Sequence, residues 1–128
     1  MTTCTRTPWG KPDDSEEYEP GITWYSTPSH GGFKLDRAHN AQVPDYMRRA
    51  GGWYEEDCDW AIVATVFPNA FLEHDKDPAK TFETARRTLR NWLPDAYERF
   101  YGVELKPGES FIRDRHPTGD STNAKTNG

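Results

Sequence analysis

Two short stretches of the chain carry the residue types that catalyse reactions or bind metal ions. In the first, Ser29-His30-Gly31-Gly32, a histidine precedes two glycines. In the second, Glu55-Glu56-Asp57-Cys58-Asp59, four carboxylates surround one thiol. Histidine and carboxylates are the usual general acids and bases of enzymes. The candidate catalytic residues are therefore His30, Glu55, Glu56 and Asp57. An ordinary turn at the histidine and a solvated acidic segment are the alternative interpretation.

Metal binding by these residues is an alternative that their spacing does not favour. The chain contains no CxxC, HxxxH or HExxH motif. A mixed site of His30 or His39 with the acidic stretch stays open, but we predict no metal and no other cofactor. Cys58 with either histidine would be the corresponding nucleophile pair. Because neighbouring acids oppose a thiolate, a buried core cysteine is the favoured interpretation.

The composition indicates a small cytoplasmic protein and disfavours several functional classes. With 16 Lys and Arg against 21 Asp and Glu, the net charge of −5 argues against direct nucleic-acid binding, which needs clustered cations. No run approaches the ~20 apolar residues that span a bilayer, and the N-terminus lacks a signal pattern. We therefore expect no contact with a membrane. Cys4 lies far from Cys58 in a polar leader, so we expect both thiols to be reduced.

The clearest strand signal is an alternation of apolar and polar residues with a period of two. Ile22 and Trp24 show it first, and Phe33 and Leu35 resume it after a break rich in glycine. This pattern predicts a β-hairpin over residues 22–35 with a connection of about five residues.

The clearest helix signal begins at Asp77-Pro78, an N-cap acid followed by proline at the first helical position. The predicted helix covers residues 77–92. Its apolar face, which we expect to pack over the sheet, consists of Phe82, Ala85, Leu89 and Trp92. The predicted fold class is therefore α+β, with a small antiparallel sheet packed by three to four helices in a single compact domain.

The middle of the chain carries weaker signals. Residues 36–40 are turn-like, and a short helix over 45–50 is expected to stop at Gly51-Gly52. Residues 55–66 are ambiguous, because their β-branched side chains suit a buried strand while acids before an apolar run are typical of a helix start. We favour the helix. Its start should then be stabilised by the carboxylates Glu55, Glu56 and Asp57.

The C-terminal third is predicted from proline and glycine punctuation. Pro94 starts a short helix over residues 95–101, and Gly102 ends it. Two short strands are expected at residues 103–105 and 110–112 around a turn.

Composition also divides the chain along its length. Residues 1–20 are rich in proline, glycine and acids, which predicts a flexible acidic leader anchored only at Trp9. Residues 21–114 form the predicted domain. Residues 115–128 are almost without apolar side chains, which predicts a disordered tail.

The aromatic and acidic residues also suggest a protein-binding surface, because Trp and Tyr often anchor protein interfaces. The first predicted patch consists of Trp53, Tyr54, Glu55, Glu56, Asp57 and Asp59. The second consists of Asp13, Asp14, Glu16 and Glu17.

Two motifs, STPSHGGF at residues 26–33 and GWYEEDCDW at 52–60, resemble a small uncharacterised bacterial family. That family, a domain of unknown function, is associated with plasmids and phage-like elements, chiefly in proteobacteria. Similarity continues at residues 91–98 and 107–110 and would span about Trp9 to Asp114. The resemblance implies no activity, cofactor or catalytic residue. It implies a context in which small accessory genes often act against host defence or regulate the mobile element.

Three functions follow as hypotheses. The favoured one is a protein that binds a host protein or nucleoprotein complex and inhibits a defence system such as a CRISPR effector. The alternative is a small enzyme, with or without a metal, centred on His30 and the acidic stretch. A regulatory or structural module of the element is the third. Convergence of His30 with the acids in a concave pocket would favour the enzyme, whereas acids spread over a convex surface would favour the binding protein.

Overall fold

A computed structural model describes residues 6–115 of the chain. These residues form two compact units, one ending at Ala85 and the next beginning at Arg86. A four-stranded antiparallel sheet and six α-helices in this part confirm the α+β prediction, with more helices than the three or four expected. None of these helices combines the length and apolarity needed to cross a bilayer. The predicted tail beyond Arg115 and the first five residues of the leader lie outside the described residues.

The sheet of the first unit has the strand order β1-β2-β3-β4. The strands are β1 (Asp14–Glu19), β2 (Ile22–Ser26), β3 (Gly31–Leu35) and β4 (Trp53–Glu55). The antiparallel pairing of β2 with β3 confirms the predicted hairpin. Its loop covers only residues 27–30, because both glycines belong to β3.

Strand β1 corrects the prediction that residues 1–20 form a loop or flexible arm. Residues 14–19 pair with β2, and Tyr18 contacts the Phe33 and Phe71 rings with 5.0 Å between centroids in each case. The strand carries almost no apolar alternation, because it lies at the edge of the sheet and most of its side chains face solvent.

One face of the sheet packs on the helices of the first unit. These are α1 (Arg37–Gln42), α2 (Trp60–Val66) and α3 (Pro68–His74); the next helix, α4 (Pro78–Trp92), also begins in this unit. Phe33 and Tyr54 are buried on this face, where the Phe33 ring lies 5.5 Å from that of Phe71 on α3. Four consecutive residues of α2, 61–64, are also buried, so this short apolar helix forms the centre of the core.

The two glycines of β3 allow aromatic rings to approach both faces of the sheet. A Cβ atom on Gly32 would lie 2.3 Å from Cη2 of Trp9 and 2.6 Å from the Tyr54 carbonyl oxygen. A Cβ atom on Gly31 would lie 2.7 Å from Cζ2 of Trp24. The glycines are therefore required for close packing. The Trp9 contact confirms that this residue is anchored, but β1 shows that it is not the one anchored residue of the segment.

The segment between β3 and β4 differs from its prediction. Residues 37–42 form helix α1 instead of a turn, because Asp36 caps it by accepting a hydrogen bond of 2.8 Å from the His39 backbone N–H. No α-helix forms at residues 45–50. A short 3-10 turn, Ala50–Gly52, occupies the end of this stretch, with Gly51 at a φ of 72°.

The acidic stretch does not start a helix. Glu55 belongs to β4, and residues 56–59 form a turn before α2 begins at Trp60. No acidic side chain lies in the first turn of α2, and Asp59 makes no capping hydrogen bond with its side chain. The prediction that Glu55, Glu56 and Asp57 stabilise a helix start is therefore wrong. The helix prediction holds only for the apolar part of the segment.

Helix α4 begins as predicted, with the Lys80 backbone N–H donating to Asp77 Oδ1 at 3.3 Å. Ala85 and Leu89 are buried as expected. Trp92 was predicted to lie on the same buried face, but it is 45% exposed, so that part of the prediction is wrong.

The second unit contains α5 (Pro94–Tyr101) and α6 (Phe111–Arg115). Gly102 ends α5 in the left-handed conformation, as predicted. The strands expected at 103–105 and 110–112 do not form. Instead, α6 is held by Arg113, which donates to the two carboxylate oxygens of Glu98 at 2.7 and 2.9 Å. A bidentate ion pair between distant residues has no local sequence signal.

Replacing Leu89 by Ala should lower the free energy of unfolding by about 2–5 kcal/mol, because truncating a fully buried leucine leaves a cavity. Leu72→Ala is the matched control, since Leu72 is 52% exposed. The control should change the same quantity by less than about 1 kcal/mol. Urea denaturation followed by circular dichroism measures both values. Equal losses in the two variants would contradict the burial of Leu89.

Candidate functional site

The strand pairing brings acids from both predicted patches to the same end of the sheet, whereas Glu16, also predicted for the second patch, pairs with His74. Asp14, at the start of β1, lies opposite Ser26, at the end of β2. The Glu56 backbone N–H, just after β4, donates to the Gly31 carbonyl at the start of β3. The β2–β3 loop lies between these two points. We call this surface the acidic end: it comprises the loop residues 27–30 with Asp13, Asp14, Glu55, Glu56 and Asp57.

Most of the acidic end is open to solvent. The exposed residues are Asp13, Asp14, His30, Glu56 and Asp57, whereas Glu55 is half-buried. Within residues 6–115, none of the five carboxylates in the acidic end forms an ion pair. Glu17 continues the exposed acidic surface along the edge strand β1. The negative charge of this surface is therefore uncompensated.

His30 lies in a turn fixed by Thr27. The Thr27 backbone N–H donates to the His30 carbonyl at 2.7 Å, and the His30 backbone N–H donates to Thr27 Oγ1 at 3.0 Å. The imidazole makes no hydrogen bond to a carboxylate within the described part of the chain. That part also contains no group of three or more His, Cys, Asp or Glu side chains placed to hold a metal ion. The acids lie beside His30 without forming a hydrogen-bonded catalytic set.

Tyr54 does not belong to the partner surface predicted for it. It is fully buried, and its hydroxyl donates to Asn40 Oδ1 at 2.5 Å and accepts from the Arg49 backbone N–H at 3.1 Å. Asp59 turns to Arg49, with 2.9 Å between Oδ1 and Nη2. Both residues therefore stabilise the fold. A prediction of a strand at residues 53–55 would have indicated that Tyr54 faces the side of the sheet opposite to Trp53 and Glu55, because alternate side chains of a strand point to opposite faces.

Trp53 is half-buried on the other face of the sheet. Its ring meets that of Trp9 edge-on with 5.6 Å between centroids, and the Lys34 ammonium lies 5.1 Å from it. Packing within the chain thus uses most of this side chain. Among the residues predicted for the first partner patch, only Glu56 and Asp57 are exposed.

Cys58 is a half-buried free thiol, not the buried core cysteine that was expected. Burial raises the pKa of the Cys58 thiol, and the carboxylates of Asp59, Asp57 and Glu55 raise it further. The thiol is therefore protonated at neutral pH. The proposed partner His39 has both ring nitrogens hydrogen-bonded to carboxylates, so the geometry does not support a Cys–His nucleophile pair.

His39 joins the end of β1 to the start of α1. Its Nδ1 lies 2.7 Å from Asp36 Oδ1, and its Nε2 lies 3.1 Å from Glu19 Oε2. Burial lowers the pKa of His39, but the hydrogen bonds to Asp36 and then Glu19 outweigh it, so the pKa is raised overall. When it is protonated, the imidazole between the two carboxylates acts as a structural ion-pair bridge.

A cavity of about 640 Å³ lies beside the edge strand, where sequence analysis predicted no pocket. Its aromatic wall consists of Tyr18, Phe33, Trp60 and Phe71. Its polar rim consists of Glu16, His74, Asp75, Lys76, Asp77, Lys80, Thr81 and Thr84. The cavity was missed because α3, which carries Phe71 and His74, was not predicted. Pro68 at the first position of α3 was the available signal.

His74 is fixed in this cavity by two contacts. Its Nε2 lies 2.5 Å from Glu16 Oε2, and its ring stacks on Tyr18 with 3.9 Å between centroids. Burial raises the pKa of the Tyr18 hydroxyl, and the charges of Asp75 and Glu16 raise it further. A carboxylate-paired imidazole against an aromatic wall can bind a flat ligand or exchange a proton with one.

The chain belongs to the family described as Domain of unknown function (DUF7007), whose model matches residues 2–122. No curated protein and no solved structure matches the chain. The family description names no activity. Functional conclusions therefore depend on the surfaces described above.

Stability should fall as the pH rises through the folded-state pKa of His39. That pKa is raised above the unfolded value of about 6.5, so the stabilisation is fully present below the unfolded value and is lost as the imidazole deprotonates. His39→Gln should flatten the pH dependence of the thermal midpoint above about pH 6. His30→Gln, which alters an exposed histidine, is the control and should leave the profile unchanged. Identical profiles for wild type and His39→Gln would contradict the bridge.

Proposed function

We propose that this protein acts by binding a basic surface of another protein through the acidic end of its sheet. The observation that supports this most is the placement of two acidic segments, distant in sequence, at the same exposed end of the sheet. Asp13 and Asp14 come from one segment, and Glu56 and Asp57 from the other. No cation within the described residues pairs with them.

The shape of the surface fits a protein partner better than a metal or a small cation. The carboxylates are spread across the ends of β1 and β4, whose strand positions are about 14 Å apart across the sheet. Spread charges steer association with a complementary surface and give specificity to the complex. The loop residues 27–30 project between them on a backbone fixed by Thr27 hydrogen bonds. A rigid loop of this kind costs little conformational entropy on binding.

The proposed biological role is inhibition of a host defence system by a mobile-element protein in the cytoplasm. The supporting observations are the motif resemblance to a family of proteobacterial plasmids and phage-like elements and the net charge of −5. Nucleic-acid-handling machines such as CRISPR effectors have clefts lined with Lys and Arg, which an acidic protein can occupy. In this role the protein binds a host protein or nucleoprotein complex without contacting nucleic acid directly, and it turns nothing over.

The test begins with affinity purification of the tagged protein from a host lysate to recover its partner. Two charge-reversal variants, Asp13→Lys with Asp14→Lys and Glu56→Lys with Asp57→Lys, are then compared with wild type in binding to that partner. Each should weaken binding by about tenfold or more at low salt, because attraction becomes repulsion at the interface. The difference should shrink at about 1 M salt, where charges are screened.

The matched control is the double variant Glu73→Lys with Glu83→Lys, which makes the same change in net charge at two exposed helical positions. It should weaken binding by less than about threefold. Equal effects in the control would show that only net charge matters and would contradict an interface at the acidic end. Unchanged affinity in both test variants would contradict the proposal outright.

A second candidate function, a small enzyme or ligand-binding protein, is supported by the cavity beside β1. The specific observation is the Glu16–His74 pair against an aromatic wall. Here the proton-transfer residue would be His74 in place of the His30 considered from sequence. In a thermal-shift screen, compounds with a flat ring should raise the midpoint of wild type but not of His74→Ala, and His30→Ala should respond like wild type. Equal responses from His74→Ala would contradict ligand binding at this cavity.

A further inference from the structure

A second cavity, of about 410 Å³, lies at the end of β3 opposite the acidic end. All the charged residues that line it are cations: Lys34, Arg37 and Arg48. The chain has a net charge of −5, so the electrostatic potential at this concave surface is opposite in sign to the net charge of the protein. We call this surface the basic cleft.

Two of the three cations are held by backbone carbonyls. Arg48 donates from Nε to the Val43 carbonyl at 2.9 Å and from Nη2 to the Ala41 carbonyl at 3.3 Å. The Lys34 ammonium donates to the Gly51 carbonyl. Arg37, the first residue of α1, is exposed at the rim. Carbonyls fix the positions of the side chains without neutralising their charge.

The positive charge of the basic cleft is uncompensated within residues 6–115. None of the three cations forms an ion pair with a carboxylate there. The Asp36 carboxylate, next to Arg37 in the chain, hydrogen-bonds to the His39 ring instead. Neighbouring cations with no counterion repel each other, and an anion bound between them would remove that repulsion.

We propose that the basic cleft binds a phosphate group. A phosphate monoester carries a charge of about −1.5 to −2 and three acceptor oxygens, which suits two guanidinium groups and one ammonium. Arginine matches oxyanions through its fork of N–H donors, and the carbonyl anchors of Arg48 leave its remaining N–H groups for the ligand. The volume suits a small phosphorylated molecule, and the acidic surface elsewhere would repel a long polyanion.

The test uses the full chain labelled with ¹⁵N and titrated with inorganic phosphate at constant ionic strength. Amide resonances of residues 34–37 and 48–52 should shift and saturate below about 10 mM phosphate. Chloride at the same ionic strength should produce no saturable shift. Absence of saturation with phosphate, or equal shifts with chloride, would overturn the proposal.

Arg37→Gln is the most informative variant, because it removes a charge at an exposed position without breaking a packed contact. It should weaken phosphate binding by about tenfold, and Lys34→Gln should do the same. Arg87→Gln, at an exposed position on α4, is the matched control and should bind like wild type. Equal affinities for Arg37→Gln, Lys34→Gln and Arg87→Gln would overturn the assignment to this cleft.

The source of the phosphate is distinguished by two further titrations. Ribose 5-phosphate should bind at least as well as inorganic phosphate. A six-nucleotide single-stranded DNA without terminal phosphates should not displace it. Tighter binding of the oligonucleotide, lost in Arg37→Gln, would overturn the small-molecule assignment. The basic cleft and the acidic end are separate surfaces, so charge reversals at the acidic end test only the protein-binding proposal.

Discussion

Close packing of aromatic rings against both faces of β3 is the interaction on which the first unit depends. Trp9 lies over Gly32 on one face, and Phe33 packs against Phe71 on the other. All three surfaces with functional potential begin on this strand. Gly31 borders the acidic end, Phe33 lines the aromatic cavity, and Lys34 lines the basic cleft. Any change that loosened the packing of β3 would therefore disturb every one of them.

The charges of the first unit fall into two groups with different consequences. In the paired group, His39 bridges two carboxylates and Arg49 binds Asp59, and these contacts join elements distant in sequence. In the unpaired group, the carboxylates of the acidic end and the cations of the basic cleft lie at opposite ends of the sheet. Paired charges hold the fold, whereas separated unpaired charges leave fields to which a partner or ligand can respond.

The sequence by itself determined the elements whose signals are local. The hairpin over residues 22–35 follows from period-two alternation, and the start of α4 follows from Asp77 and Pro78. The α+β class follows from these two patterns together. The acids and glycines of the two motifs also marked the regions that become surfaces and close contacts. Residue type and spacing suffice for such predictions because the interactions involved span only a few residues.

Only the tertiary structure decided which residues meet. Strand β1 has a polar sequence and exists because the edge of β2 supplies its hydrogen bonds. That pairing brings Asp13 and Asp14 to the same end as Glu56, although more than forty residues separate them. The burial of Tyr54, the cavity at His74 and the basic cleft likewise come from contacts between distant segments. Local periodicity carries no information on such pairings, because their free energy comes from surfaces that are brought together only when the chain folds.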